Sequence, residues 1–256
     1  MKTIALANHK GGVGKTATAH ALGTVLAAEG RRVLLVDIDP QASLTGACGL
    51  GDTAGCSMAE VLGDTDAGTL ELRQIARELA PGLSLAPSDI ALASTELALV
   101  VRLGREMVLR QALDQVAADF DVALIDCPPS LSLLTVNALT AADGVVVPTQ
   151  PQAADLRGLR LFLATLDKVR AALNPRLALL GVLVTFYDGR LLHHQEACSV
   201  MAGAGLPLFD TRIGRSVRVA EAVGVGASIM TYEPDNARAG EYRAFAQEVT
   251  GWLNGA

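Results

Sequence analysis

The chain has 256 residues, half of them apolar, and a formal net charge of −6. That is enough apolar mass for one large α/β core, and no apolar run approaches the ~20 residues that span a bilayer. The acidic balance excludes a coat of basic surface, but residues 1–149 carry 10 Lys and Arg against 17 Asp and Glu while residues 150–256 carry 11 against 10. Any nucleic-acid face is therefore expected as a local patch in the C-terminal half.

The N-terminus runs straight into an apolar strand over residues 3–7, so no signal peptide is expected. Asn8-His9-Lys10-Gly11-Gly12-Val13-Gly14-Lys15-Thr16 follows, and then a helix over 15–29. Strand, glycine-rich loop and helix are the setting of a phosphate-binding loop, because backbone N–H groups from Gly11 to Ala17 can face an anion at a helix start. Lys15 brings charge to the β- and γ-phosphates and the Thr16 hydroxyl suits Mg²⁺. The usual glycine that opens such a loop is replaced by His9, and a second lysine, Lys10, stands at the entrance. A lysine there can reach a nucleotide in a facing subunit, which points to an ATP-dependent dimer.

Further apolar runs at 32–36, 83–86, 122–125, 144–147 and 177–184 alternate with helical patterns at 58–62, 102–118, 132–141, 156–172, 195–204 and 238–253. Continuous rather than alternating apolarity suits strands buried on both faces, so the expected fold is a doubly wound, mostly parallel α/β sheet flanked by helices. No linker or repeat divides the chain, and a single domain over 1–256 is expected. The glycine-rich segment 46–55 reads as a mobile loop. Cys48, Cys56, Cys127 and Cys198 form no C-x-x-C pair and read as free thiols of a reducing cytoplasm; His193-His194 lacks companions for a metal site.

Two strand ends carry acids: Asp37-Ile38-Asp39-Pro40-Gln41 and Asp126-Cys127-Pro128-Pro129. Ligands of such sheets lie outside the carboxyl ends of strands. Asp126 is placed to hold the Mg²⁺ shell, Asp37 to support the metal side, and Asp39, further out, to orient the attacking water. Residues two apart on an extended segment point the same way, so Asp37 and Asp39 are both expected to face the phosphates.

Taken together, these segments resemble the ParA/MinD ATPases, and the Soj-like branch in particular. Lys10-Gly11-Gly12-Val13-Gly14-Lys15-Thr16 looks like their deviant Walker A loop, Val33 to Gln41 like the A′ motif, and Asp126 to Ser130 like Walker B. The runs from Thr135 through Asn137 to Asp143, Pro148 with Gln150, Gly181 to Arg190, and Arg215 to Glu221 follow the same pattern nearly end to end. The resemblance implies an ATP-sandwich homodimer, Lys10 acting across its interface and Asp39 serving hydrolysis. It also implies nonspecific binding of double-stranded DNA through Arg190, Arg215 and Arg218, and release on hydrolysis stimulated by a ParB-like partner or cargo adaptor. The chain departs from the pattern at His9, at Gly214 and at Val223, which touches the adenine pocket and dimer edge. Thr185, at a strand end, is the candidate contact to the nucleotide base.

Rival classes are weaker. A membrane-bound relative would want Lys or Arg flanking an amphipathic tail, and residues 245–256 have none. A reductase would need cysteines poised for a cluster, and a guanine-specific switch an Asn-Lys-x-Asp motif. Because the chain opens on its first strand, a separate N-terminal helix-turn-helix domain is not expected. The expected protein is cytoplasmic and nucleoid-associated, slow in turnover, and positions a chromosome, a plasmid or a protein assembly.

Overall fold

Runs such as Val33-Leu34-Leu35-Val36 and Val122-Ala123-Leu124-Ile125 have no solvent-facing alternation, and all of these side chains are fully buried. They form the centre of a sheet because helices cover both of its faces. The computed structural model describes residues 1–51, 53, 56–63 and 70–255. In chain order the elements are β1 (Lys2–Leu6), α1 (Lys15–Ala28), β2 (Val33–Asp37), α2 (Ser43–Ala47), α3 (Met58–Leu62), α4 (Leu72–Ile75), β3 (Arg77–Ala80), β4 (Leu83–Ala86), α5 (Leu92–Leu99) and α6 (Val108–Asp114). Then follow β5 (Val122–Asp126), α7 (Leu133–Ala141), β6 (Gly144–Thr149), α8 (Ala153–Ala172), β7 (Ala178–Tyr187), α9 (Leu192–Gly203), β8 (Leu208–Gly214), α10 (Val217–Gly224), α11 (Ile229–Tyr232) and α12 (Ala237–Gly255).

Among the described residues eight strands form one sheet in the order β3-β4-β2-β5-β1-β6-β7-β8. Only β3 is antiparallel, paired to β4 across the Pro81-Gly82 turn. The expected parallel α/β architecture is what the chain adopts. β1 lies between β5 and β6: the chain passes from β1 to β2 on one side and from β5 across to β6 on the other, which opens a crevice at the carboxyl ends. Period-two alternation sorts the core: Leu34, Val36, Ala123 and Ile125 pack with Phe162 and Leu139 on one face, while Val33, Leu35, Val122 and Leu124 pack with Leu22, Leu26 and Phe245 on the other. Phe245, Val249 and Leu253 of the tail are buried, and the Phe245 ring meets Phe209 edge-on at 4.9 Å. Their apolar periodicity serves the core.

Several elements differ from the sequence expectation. β3 and β8 escape a search for continuous apolar runs because both are edge strands whose residues are mostly exposed or half-buried. The helix expected over 102–118 is a 3₁₀ turn followed by the shorter α6. Within the glycine-rich segment, Gly46 and Ala47 end helix α2, and Asp52, Ala54 and Gly55 lie outside the described residues.

His20 on α1 is buried and its Nδ1 has no hydrogen-bond partner. Burial pulls its pKa down to about 4. The unfolded chain then binds the extra proton between pH ~6.5 and the folded value, so stability present above that window falls as pH falls through it. We expect the urea-derived stability of the wild type to fall about 2 kcal/mol more than that of His20→Leu between pH 7 and 5. Equal slopes for the two proteins would show that His20 carries no such linkage.

Candidate functional site

The loop after β1 is stapled from outside by side chains. Gln150 Nε2 donates to the Gly12 carbonyl at 2.8 Å, Thr185 Oγ1 to the Val13 carbonyl at 2.9 Å, and Lys15 Nζ to the Lys10 carbonyl at 3.2 Å. Buried Asn8 ties the loop entrance to β6: its Nδ2 donates to the Pro148 carbonyl at 2.7 Å while its Oδ1 accepts from the Lys10 N–H. Gly12 (φ 70°) and Gly14 (φ 86°) adopt left-handed conformations, which L side chains rarely tolerate. α1 starts at Lys15 without a side-chain cap, so its first-turn N–H groups are open to an anion.

This loop walls a cavity of about 500 Å³. Gly11, Gly12, Gly14, Lys15, Thr16 and Ala17 form one side and Asp39 and Gln41 another, while Ile213, Val219, Ala220 and Val223 supply an apolar wall. A flat apolar group and a phosphate chain have matching surfaces here.

The floor is a buried charge cluster. Asp37 and Asp126 are direct register partners on β2 and β5. The Thr16 hydroxyl donates to Asp126 Oδ2 at 2.7 Å, and Asp126 Oδ1 is buried without a partner. Burial, then the Asp37 charge, push the Asp126 carboxyl well above the ordinary range; burial does the same to Asp37. Burial also lowers the Lys15 ammonium, against the pull of Asp126, Cys127 and Asp39. An unpartnered carboxylate oxygen beside a hydroxyl is an incomplete set of hard oxygen donors, which fits a divalent cation. Among the described residues no group of three His, Cys, Asp or Glu forms a metal cage. Mg²⁺ keeps its waters and takes, beside phosphate oxygens, one or two protein ligands, which the Thr16 hydroxyl and Asp126 can supply.

Asp37 and Asp39 do not point the same way. β2 ends at Asp37, so strand alternation does not carry to Asp39. Asp39 lines the cavity and accepts from the Gln41 N–H at 2.9 Å. Asp37 is turned to α2: its Oδ2 accepts from both the N–H and the hydroxyl of Thr45 at 2.8 Å, and its Oδ1 from the Asp39 N–H. The expectation that both acids face the phosphates is corrected, and Asp37 is a brace beneath Asp126. Thr185 lines the cavity, but its hydroxyl is engaged by the loop.

The three arginines sit past the carboxyl ends of β7 and β8. Arg190 is exposed and paired with Asp188 at 2.7 Å; Arg218 is paired with Glu221 at 2.8 Å and lies 3.7 Å from Glu233. Arg190 and Arg215 share a cleft of about 850 Å³ with Arg212 and Arg238, whereas Arg218 lies outside it. Sequence reading gave no role to Arg212, Arg238, Asn8 and Thr45. The first two lie in an unforeseen edge strand and a helix read as core packing, and the last two act through buried hydrogen bonds that no spacing reveals.

Comparison with known proteins gives consistent relatives. A family model described as an AAA domain matches residues 1–179. The chromosome-partitioning ATPase Soj of Thermus thermophilus is 46% identical over 253 residues, covering 97% of this chain and 95% of that one. The chromosome partitioning protein ParA of Caulobacter vibrioides is 42% identical, covering 97% and 94%. Among solved structures, a protein described as cobyrinic acid a,c-diamide synthase from Mycobacterium smegmatis, with bound ADP and magnesium, superposes with a TM-score of 0.87 at 38% identity, covering 100% of this chain and 96% of that one.

The different placements of the two acids make a stability prediction. Asp37→Ala leaves three buried donors unmet and should lower unfolding free energy by about 3 kcal/mol, whereas Asp39→Ala should lower it by under about 1 kcal/mol. Equal denaturation midpoints for the two variants would contradict the placement.

Proposed function

The chain belongs to the ParA/Soj family of partitioning ATPases, and from that premise we propose that it is an ATP-gated DNA-binding switch that positions DNA or a large protein cargo. The observation that carries the ATPase part is the glycine cradle over Lys15 with the Thr16–Asp126 contact and the unpartnered Asp126 Oδ1 beneath it.

In this reading Gly11 to Ala17 hold the phosphates of ATP, and Thr16 and Asp126 hold Mg²⁺, with Asp37 fixing the floor. Held there, Mg²⁺ would supply positive charge that offsets the charge developing on the leaving diphosphate. Asp39 accepts a hydrogen bond from the attacking water and aims its oxygen at the γ-phosphorus. The new O–P bond forms as the bond to the bridging oxygen of ADP breaks, and the water's proton passes to an oxygen of the phosphate released. Lys15, and Lys10 from a facing protomer, stabilise the negative charge that builds on the departing diphosphate. Thr185 keeps the loop in register. Intrinsic turnover is slow, so that the ATP state persists, and a ParB-like partner or cargo adaptor accelerates it.

Arg190, Arg215 and Arg218 contact phosphates of nonspecific double-stranded DNA. In one protomer Arg190 and Arg218 already face carboxylates, so DNA must compete for them and monomer binding is weak. A homodimer doubles the contacts, and ~6 of them make affinity fall about 10³-fold or more between 50 and 200 mM salt. The protein acts in the cytoplasm on the nucleoid. Among the described residues no helix is long and apolar enough to cross a membrane.

An amide-forming synthase is the rival reading. Releasing ammonia from an amide donor calls for an activated thiolate. Next to the site, burial drives the thiol of Cys127 far up and that of Cys48 up to about 12, the opposite of activation.

The test is binding to a random-sequence duplex without nucleotide, with ADP, and with ATP and Mg²⁺, using Asp39→Ala to hold the ATP state. We expect salt-sensitive binding with ATP alone, and its loss in Arg218→Glu with dimerisation intact. Lys10→Ala should impair dimerisation more than nucleotide affinity. Binding independent of nucleotide would refute the gate; no binding with the dimer formed would refute the DNA assignment and leave the ATPase.

A further inference from the structure

Among the described residues only two that are not glycine have a positive φ, Ala42 at 52° and Phe186 at 53°. For a bulky aromatic this conformation is strained and persists only where its surroundings enforce it. Both residues stand in segments that wall the nucleotide cavity. Ala42 lies between Gln41 and Ser43, which line it, and Phe186 lines it directly. Phe186 also lines the cleft of about 850 Å³ that holds Arg190, Arg212, Arg215 and Arg238, and a third cavity of about 460 Å³ bounded by Gln150 and His194. Phe186 thus lines both the phosphate-loop cavity and the arginine cleft, as Gly214, Ser216 and Ala220 also do.

We propose that Phe186 is a positioning residue that transmits occupancy of the nucleotide cavity to the arginine cleft. The proposal rests on the nucleotide reading above but not on DNA being the ligand of the cleft. On the loop side, the Cε2 edge of Phe186 lies 3.7 Å from where a Gly14 side chain would begin, and the preceding Thr185 is bonded to Val13. A ligand that seats on Gly14 and Lys15 therefore bears on the ring. On the cleft side, the next residues hold the arginines. The Arg212 guanidinium stacks 4.6 Å from the centre of the Tyr187 ring and donates to its hydroxyl at 2.8 Å; Asp188 grips Arg190; and the Asp188 N–H donates to His194 Nδ1.

The strand is built to yield at this place. β7 is paired without a break to β6 from Val146 to Thr149, but its ladder with β8 is irregular between Val184 and Tyr187. A push on the ring is absorbed by the dihedrals of Phe186, where strain is already stored, rather than by sliding of the whole strand. Rotation there re-aims Tyr187 to Arg190. The same contacts run in reverse, so an anion in the cleft changes nucleotide affinity by an equal factor.

The test is hydrogen exchange of residues 187–190 and 212–218 in the full chain, without nucleotide and at saturating ADP–Mg²⁺ or ATP–Mg²⁺, with nucleotide occupancy followed by fluorescence. The wild type should change exchange rate in these segments by about fivefold or more on binding nucleotide. Phe186→Gly, which removes both ring and strain, should lose that change while nucleotide is bound, and Phe186→Met, which keeps a long apolar side chain, should retain it. A wild-type response that persists in Phe186→Gly overturns the proposal, as does its absence in the wild type or its loss in Phe186→Met. If Phe186→Gly does not fold, Phe186→Ala carries the same expectation. If that variant folds but holds no nucleotide, the ring belongs to the binding site itself and the coupling role is overturned. Failure of DNA binding, by contrast, leaves this readout unaffected.

Discussion

Two carboxylates, Asp37 and Asp126, stand side by side on neighbouring buried strands, and the rest of the site is arranged around that constraint. Two like charges without water raise each other's proton affinity and destabilise the fold unless something answers them. Asp37 is answered by protein: Thr45 and the Asp39 N–H satisfy it and anchor α2. Asp126 is answered in part, by Thr16 and the nearby Lys15, and one of its oxygens stays bare. The sheet thus holds an unpartnered carboxyl oxygen under a loop made to receive phosphate. A divalent cation resolves the mismatch, and that couples metal, nucleotide and strand ends in one unit.

The same constraint organises the surroundings. Asn8, Gln150 and Thr185 each anchor the loop or its entrance through main-chain groups and come from three different strand ends. The loop is therefore fixed to β6 and β7 as well as to β1, so a ligand there is felt across the sheet. α10, whose Val219, Ala220 and Val223 face the cavity, also carries Arg218. Its packing on the α2 end is close: Gly49 and Gly226 meet backbone to backbone, each with a positive φ. A side chain at Gly226 would meet main-chain atoms of Gly49, so the contact tolerates little displacement.

Much of this was legible in the sequence, for local reasons. Glycines, lysine and threonine at fixed spacing after an apolar run declare a phosphate loop, and unbroken Val-Ile-Leu runs declare a parallel sheet. What was not legible depends on direction and long range. Whether Asp37 or Asp39 meets the cavity turns on where β2 stops, which alternation alone does not say. β8, with Asp210 and Arg212 interleaved among apolar residues, lacks the signature of a buried strand because it is an edge. The ion pairs that Arg190 and Arg218 make were hidden because their partners are surface carboxylates common to any sequence. The strain at Phe186 was invisible, since nothing in the residue itself favours a positive φ.

The measurement that bears most directly on this account is thermal unfolding of the wild type and Asp126→Asn, each without ligand, with ATP in EDTA, and with ATP and Mg²⁺. A ligand that binds only the folded state raises the melting temperature in proportion to its binding free energy. The account predicts that the wild type melts higher with ATP and Mg²⁺ than with ATP alone. Asp126→Asn should melt above the wild type without ligand, because the buried like charge is gone, and should show no added stabilisation from Mg²⁺. An Asn variant that keeps the wild-type Mg²⁺ increment, or that melts below the wild type without ligand, would contradict it.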